Sequence, residues 1–515
     1  MTTLPDQETQ MTTQTPSSQA HQAQQADQTA ESTASRSRWL ALYVLCLGDL
    51  MIVLDQSIVN VALPSIRTDL GFSQASLAWV VNAYLLTFGG FLLLSGRLGD
   101  LLGNRRVFLG GVVSFTIASA VCGLAPSASF LVVGRAVQGL AGATVSAVAL
   151  ALIMGLFGSP ADRAKAMGVF GFVMSGGGAV GVLAGGVLTG LLSWHWIFLV
   201  NVPVGIAVVV AARAMLPADQ VQAGSTRLDV PGAVLVTSAL MLAVYAVVGG
   251  NEAGWTSTRT VVLLVAAAVL FAAFVGWETR AAAPLVPLRL FRLRNVSVSQ
   301  VVGVLWAAAM FAWFFLAALY LQQVLGYSAL EVGLAFVPTS LVMMFCSLKV
   351  SDRLVMRFGI RPPLTVGLAL AAVSLGLFAL APVDGSFVTD VLPSMILLGI
   401  GAGIAFNPVL LAAMGDVEPH EAGLASGVVN TSFMMGGALG LAVLVAVSDS
   451  RTASLAAGGS SAVESLHGGL QVAFAVGAVA AALAAVVGGV LLRPQPMAVP
   501  EPDHEDCDCL EPCAA

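Results

Sequence analysis

Charge is what this chain has least of. Asp, Glu, Lys and Arg together make up 10% of its 515 residues while 57% are hydrophobic, which leaves too little polar surface to clothe a water-soluble globule. The net charge of −6 sits largely in the two tails and there is no basic tract, so nucleic acid is excluded as a partner. Cysteine is also sparse: Cys46, Cys122 and Cys346 stand singly in separate apolar stretches, which suggests no disulfide framework. There is no G-x-x-x-x-G-K-[ST] loop and no soluble segment large enough to hold a nucleotide, so any work must draw on an ion gradient. No nucleophile, base and orienter gather at one depth, so an enzyme is not expected, and neither is a cofactor. Residues 1–35 contain no Lys or Arg. They read as a disordered Gln/Thr/Ser-rich tail, not a signal peptide, which leaves the first apolar run as the insertion signal. His504, Cys507, Cys509 and Cys513 crowd the other tail, but their spacing fits no structural zinc pattern and no metal is expected there.

What is present is a series of fourteen apolar runs, at 39–63, 76–96, 107–125, 128–156, 166–191, 197–216, 230–249, 260–278, 298–321, 329–349, 363–382, 390–414, 422–447 and 469–492. Bilayer hydrocarbon about 30 Å thick needs about 20 such residues per helix. Helices are required because unpaired backbone groups in lipid each cost several kcal/mol. With the N-terminus placed in the cytoplasm, 18 of the 22 basic residues fall on that side; Arg67, Arg259 and Arg451 lie outside and Arg135 lies within a run. Positive loops stay in the cytoplasm, so the expected topology is fourteen spans with both termini cytoplasmic.

The chain also repeats itself. Gly96-Arg-Leu-Gly-Asp-Leu-Leu-Gly-Asn-Arg105 aligns with Asp352-Arg-Leu-Val-Met-Arg-Phe-Gly-Ile-Arg361 at an offset of 256 residues, matching Arg97 with Arg353, Leu98 with Leu354, Gly103 with Gly359 and Arg105 with Arg361. Each copy follows the second span of a six-span block, as in transporters built from repeated halves with the substrate bound between them. The expected organisation is a disordered tail at 1–35, a six-helix bundle at 36–216, a linker with an inserted two-helix hairpin at 217–297, a second six-helix bundle at 298–493 and a disordered tail at 494–515. The hairpin carries almost no polar groups and is expected to be structural or lipid-facing, with Glu278 and Arg280 marking its cytoplasmic end.

Few residues inside the spans can carry chemistry. Asp55 lies nine residues before Pro64 and Arg135 nine residues after Pro126, so at 1.5 Å per residue both sit roughly 13 Å below the outer surface and can face each other. A carboxylate whose distance to a guanidinium varies changes its proton affinity, which makes the pair a candidate coupling device. Gln138, three residues past Arg135, is placed to orient it. Asp49 shares a helix face with Gln56 and Asn60, while Asp55 points roughly 120° away, so one helix offers acids in two directions. With Gln138, Trp306 and Phe311, these residues are the candidates for the substrate cavity. The ninth span is aromatic, from Trp306 to Tyr320, which suits flat amphipathic or cationic molecules. Trp313 and Tyr320 read instead as interfacial anchors, and Trp194, His195 and Trp196 as an outer belt. Asp100, with Gly96, Arg97, Gly103, Arg105 and Arg106, reads as a gating loop at the cytoplasmic surface. Gly177, Gly181, Gly185 and Gly186 allow close helix approach in the fifth span.

The loop GRLGDLLGNRR at 96–106 resembles the signature between spans two and three of the major facilitator superfamily. LDQSIVNVALP at 54–64, LVVGRAVQGLAGA at 131–143, GAVGVLAGG at 178–186 and WHWIFLVNVPVG at 194–205 extend the likeness to its fourteen-span drug:proton antiporter branch, over about 39–492. The resemblance implies proton coupling at Asp55 and Arg135 and an antiporter motif at the fifth-span glycines. Three departures stand out: Val182 where the family usually has Pro, Met356 where the first repeat has Asp100, and Phe433 and Met434 where polar residues are usual. The reading that follows is an all-α membrane protein of the bacterial cytoplasmic membrane. As a monomer it exports small amphipathic drugs or antibiotics by alternating access, driven by protons. A metabolite transporter on the same fold and a non-transporting receptor remain alternatives.

Overall fold

The computed structural model describes residues 16–157, 160–217, 229–282, 284–286, 288–414 and 422–493. Fourteen long helices run through them: α1 (Pro16–Leu70), α2 (Trp79–Leu102), α3 (Asn104–Gly123), α4 (Ala128–Leu156), α5 (Pro160–Leu191), α6 (Asn201–Met215), α7 (Val230–Ala253), α8 (Thr258–Glu278), α9 (Arg294–Leu319), α10 (Ala329–Phe345), α11 (Arg361–Ala379), α12 (Leu392–Met414), α13 (Ala422–Ala457) and α14 (Ala462–Leu491). Among the described residues, thirteen are long and apolar enough to cross a membrane. The remaining one, α5, is helical throughout and apolar over Val180–Leu191. No strand occurs among the described residues, as expected where every backbone group must find its partner within its own segment.

Helix ends carry their own caps. Ser328 and Ser461 each form a reciprocal capping box, with Glu331 and Glu464, and Ser127 and Ser257 accept from the first-turn N–H groups of α4 and α8. These side chains satisfy donors that the helix leaves open. Residues 16–35, expected to be disordered, continue α1 as helix. Their Gln, Ala and Glu are good helix formers and no Gly or Pro interrupts them after Pro16. The His504 and Cys cluster and the 218–228 part of the linker lie outside the described residues.

Packing repeats at the offset seen in the sequence. In the first half α1 packs on α5, α2 on α4, α3 on α4 and α6; in the second, α9 packs on α13, α10 on α12, α11 on α12 and α14. The halves meet along two seams, α5 with α10 and α2 with α13. At the arginine-poor end of the bundle Arg67 donates to Gln323 at 3.0 Å, again 256 residues apart, and Gln322 donates to the Val61 carbonyl at 2.9 Å. The halves are therefore latched at that end.

α7 and α8 pack on each other, and α7 also packs on α2 and α13, so the hairpin covers one seam. Thr237 of α7 sits over Gly90 of α2 so closely that a Cβ on Gly90 would collide with its hydroxyl. α8 exposes Val261, Val262, Val265, Val269 and Phe271 on an apolar outer face.

The two copies of the loop motif turn alike. Gly103 has φ 95° and Gly359 has φ 78°, and each donates its N–H back to the helix it ends. Side chains other than glycine rarely adopt this backbone. Gly103→Ala and Gly359→Ala are each expected to lower stability by about 1–3 kcal/mol, read as a drop in the melting temperature of the purified protein. Equal melting temperatures would show that the turns tolerate a Cβ.

Candidate functional site: a buried carboxylate and guanidinium network

Asp55 on α1 and Arg135 on α4 meet. Both are sealed from solvent, at 0% and 1% exposure, and Arg135 Nη1 donates to Asp55 Oδ2 at 2.5 Å. The other carboxylate oxygen, Oδ1, accepts from Gln138 Nε2 at 2.6 Å and from Asn201 Nδ2 at 2.9 Å. Arg135 has further partners of its own: Nε donates to the Val80 carbonyl at 2.9 Å, Nη1 to Gln138 Oε1 at 2.7 Å, and the guanidinium lies 4.3 Å from the centroid of the Tyr84 ring. Ser119 accepts from both amides, at 2.8 Å from Gln138 and 3.4 Å from Asn201. Two opposite charges out of water are tolerable only when their remaining lone pairs and protons are matched in this way.

Five helices supply the members of the network. α1 brings Asp55, α2 Tyr84, α3 Ser119, α4 Arg135 and Gln138, and α6 Asn201. Small residues let these helices close: a Cβ on Gly139 of α4 would collide with the Tyr84 carbonyl oxygen. Sequence reasoning does not single out Asn201 and Ser119, although Asn201 lies inside the quoted 194–205 motif and is a lone amide in an apolar run. Asn201→Ala would leave Asp55 Oδ1 with one donor fewer. The expected cost is about 1–3 kcal/mol, measured by thermal unfolding; an unshifted transition would mean that water or a rotated neighbour replaces the amide.

The remaining candidates fall in three places. Asp49 is buried, accepts from Ser146 Oγ at 2.5 Å, and its Oδ2 has no protein partner. Gln56 donates to the Tyr84 hydroxyl at 3.5 Å, while Asn60 is bonded to the carbonyls of Gln56 and Ser57 on its own helix. Gln138, offered by the sequence as a cavity residue as well as an orienter of Arg135, is fully buried in the ion-pair network. Phe311 of α9 packs edge-on against Phe433 of α13 at 5.7 Å, and Phe433 likewise against Phe406 of α12 at 6.3 Å. Phe433, a departure from the family pattern, is thus part of an aromatic cluster drawn from three helices. Trp306 is buried in the second half.

Two aromatic expectations are corrected. Trp313 is no interfacial anchor: it is fully buried among Phe314, Phe336 and Phe378. Tyr320 is buried too, and donates its hydroxyl to the Pro382 carbonyl at 2.7 Å. α9 is enclosed by α12, α13 and α14, so aromatic rings on it face protein where a helix of the outer ring would face the bilayer interface. Of the expected outer belt, Trp196 is exposed but Trp194 is buried, with its indole donating to Asp69.

In the 96–106 loop Arg105 donates to the Arg213 carbonyl at 2.6 Å, tying the turn to the end of α6. Gly96 and Arg97 lie in the last turns of α2, and Arg106 in the first of α3; the Asp100 side chain lies outside the described residues. The α5 glycines separate by face. Cβ atoms on Gly177, Gly181 and Gly185 would meet Leu50, Ser57 and Ile58 of α1, the last at 2.5 Å from a carbonyl oxygen. Gly186 instead faces the second half, where a Cβ would stand 2.8 Å from the Ala329 carbonyl and 3.0 Å from Gly333 Cα on α10.

Two six-helix halves related by a repeat, latched across a seam, with a buried ion pair in one half and aromatic rings in the other, define a multi-pass membrane transporter. Residues 45–441 match the Major Facilitator Superfamily, and the chain belongs to that family. It is 40% identical to the puromycin resistance protein pur8 of Streptomyces alboniger over 88% of this chain and 91% of that protein. With the cephamycin export protein CmcT of Amycolatopsis lactamdurans it shares 39% identity over 92% and 96%. Among solved structures, a bacterial homologue of the human lysosomal transporter Spinster, in an inward-facing and unoccupied conformation, superposes with a TM-score of 0.65. That match covers 90% of this chain and 99% of that one, at 17% identity. The two relatives carry names of drug resistance and drug export; the chain itself is a transporter of their family and not an enzyme.

Proposed function

We propose that this protein exports amphipathic, ring-bearing antibiotics from the cytoplasm across the bacterial plasma membrane in exchange for protons. Its arginine-rich end and both termini lie in the cytoplasm, and it works as a monomer. The observation that carries the proton step is the partner list of Arg135. When Asp55 takes up a proton and the ion pair weakens, the guanidinium keeps Gln138 Oε1, the Val80 carbonyl and the Tyr84 ring, so it is not left as a bare buried charge. Asp55 can thus change charge without collapse of the half around it.

A route from proton to cargo runs through Tyr84. Its ring lies against Arg135 and its hydroxyl accepts from Gln56, on the α1 face that also carries Asp49 and Asn60. The Phe311, Phe406 and Phe433 cluster supplies flat apolar surface for a ring system. Alternating access then consists of opening the latch of Arg67, Gln323, Gln322 and Val61 while the loops at the other end, among them the Asp100 gate, close.

The test uses everted membrane vesicles holding the protein, acidified inside, with puromycin or a cephamycin added outside and luminal pH followed by a fluorescent dye. Drug-dependent alkalinisation of the lumen is the expected result. Uptake of drug that ignores the pH gradient would reject proton exchange, and proton movement without drug uptake would reject the assigned cargo class.

A further inference from the structure

The hairpin holds a feature that its residue order does not announce. Glu278, the last residue of α8, does not simply mark the end of a span: it is 4% exposed, and Asp229, which caps α7, is 7% exposed. Their chemistry is specific. Asp229 Oδ1 accepts from the Gly232 N–H at 2.9 Å and from the Trp277 indole at 2.7 Å, and its Oδ2 accepts from the Leu285 N–H at 3.3 Å. Glu278 Oε2 accepts from the Val286 N–H at 3.0 Å. Glu278 Oε1, buried, has no donor at all. It is aimed at Asp229: Glu278 Oε1 and Asp229 Oδ2 converge over Gly232, where a Cβ would meet Asp229 Oδ2 at 2.5 Å and Glu278 Oε1 at 2.7 Å. The residue at 232 has no Cβ, and that is what lets the carboxyl groups close on each other.

Two carboxylates cannot hydrogen-bond to each other, because both are acceptors; one proton between them turns repulsion into a bond. A metal ion is a poorer occupant, since two carboxylates already engaged by backbone N–H groups leave too few oxygens for a divalent cation's shell. We propose that Asp229 and Glu278 form a proton-binding site that holds one shared proton at the arginine-rich end of the hairpin, joining α7 to α8. The same pair holds the backbone at 285–286, which leads into α9, so loss of the proton loosens the hairpin from the start of the second half. Other charged groups belong to the elements around it. Arg280 turns back to the Gly276 carbonyl at 3.5 Å, Arg289 and Arg292 lie on the short helix before α9, and the α2 register places Arg97 at this level. The site stands whether or not the chain exchanges cargo for protons at Asp55.

Glu278→Gln is the discriminating variant, because its amide donates to Asp229 as a protonated carboxyl would and cannot titrate. In the purified protein, the infrared difference between wild type and E278Q at mildly acidic pH is expected to show the loss of one protonated-carboxyl stretching band. The melting temperature of the wild type is expected to fall as pH is raised from the acidic range through neutrality and then to level off, while E278Q lacks that fall. The sign follows because the folded state holds a proton that the unfolded chain releases, so stability declines as pH rises. Asp229→Asn keeps the cap on Gly232 and should abolish the same band, which guards against a folding defect in one variant. Absence of any lost band in both variants, or pH profiles of wild type and E278Q that coincide, would overturn the proposal.

Discussion

Asp55→Asn is expected to abolish drug-driven proton exchange, with luminal alkalinisation in everted vesicles falling to the level of vesicles without the protein. The amide keeps the shape of the side chain and loses the titration. It also removes the charge opposite Arg135, so the variant is expected to be less stable by about 3–5 kcal/mol, the range for breaking one side of a buried pair. A double variant separates the two effects. Replacing both partners with apolar residues of similar size, Asp55→Leu with Arg135→Met, removes the uncompensated charge. It should recover much of the lost stability, since buried pairs are often no better than well-packed hydrophobic replacements. Transport should not return. If the amide variant still drives its cargo uphill on a pH gradient, the ion pair is a fixed strut and the coupling acid lies elsewhere, with Asp49 and its unpartnered Oδ2 the next residue to change.

Gly186→Leu is the second large effect, and it acts on conformation. Gly186 on α5 packs against the backbone of Ala329 and Gly333 at the start of α10, across the seam between the halves. The obstacle is backbone on both sides, so a leucine has nowhere to turn. The same end carries the Arg67 and Gln323 bond, so forcing α5 and α10 apart should open the latch and favour the state accessible from the arginine-poor face. Spin labels on the first residues of α2 and α10 should report a longer distance in the variant, and export should fall by an order of magnitude or more, about 1.4 kcal/mol or more of lost population per tenfold. A variant with wild-type distances and wild-type export would mean that the two halves slide past each other at this seam without separating. Gly178, where a Cβ meets nothing, supplies the control: Gly178→Ala should leave both readouts unchanged.

Legibility in the sequence differs by residue. The spacing of Asp55 from Pro64 and of Arg135 from Pro126 puts acid and base at one depth, because helical rise converts residue count into distance without knowledge of the packing. The offset of 256 residues likewise anticipates the matched turns at Gly103 and Gly359. Asn201 and Ser119 escape, since a single amide or hydroxyl in an apolar run has no periodicity that tells which neighbour it meets. Trp313 misleads for a related reason: an aromatic ring near a span end belongs at the bilayer interface only if its helix lies on the outside of the bundle. Glu278 reads as punctuation because nothing in the order of residues reveals that Asp229, 48 positions before its indole partner Trp277, folds back to the same point.

Residue order alone is enough to establish that the chain lives in lipid, that it crosses it as helices, that its halves repeat, and which buried acid has a basic counterpart at its level. Those properties follow from local rules: hydrophobic length, helical rise and the cost of an unpaired charge are all additive along the chain. Helix packing was needed to settle which polar groups close a network around Asp55, that Gly186 faces the other half while Gly185 faces α1, and that two carboxyl groups of the hairpin meet over a residue without a Cβ. Each of these depends on how one helix is rotated and set against another, and a shift of one residue, about 100° of turn, changes the partner.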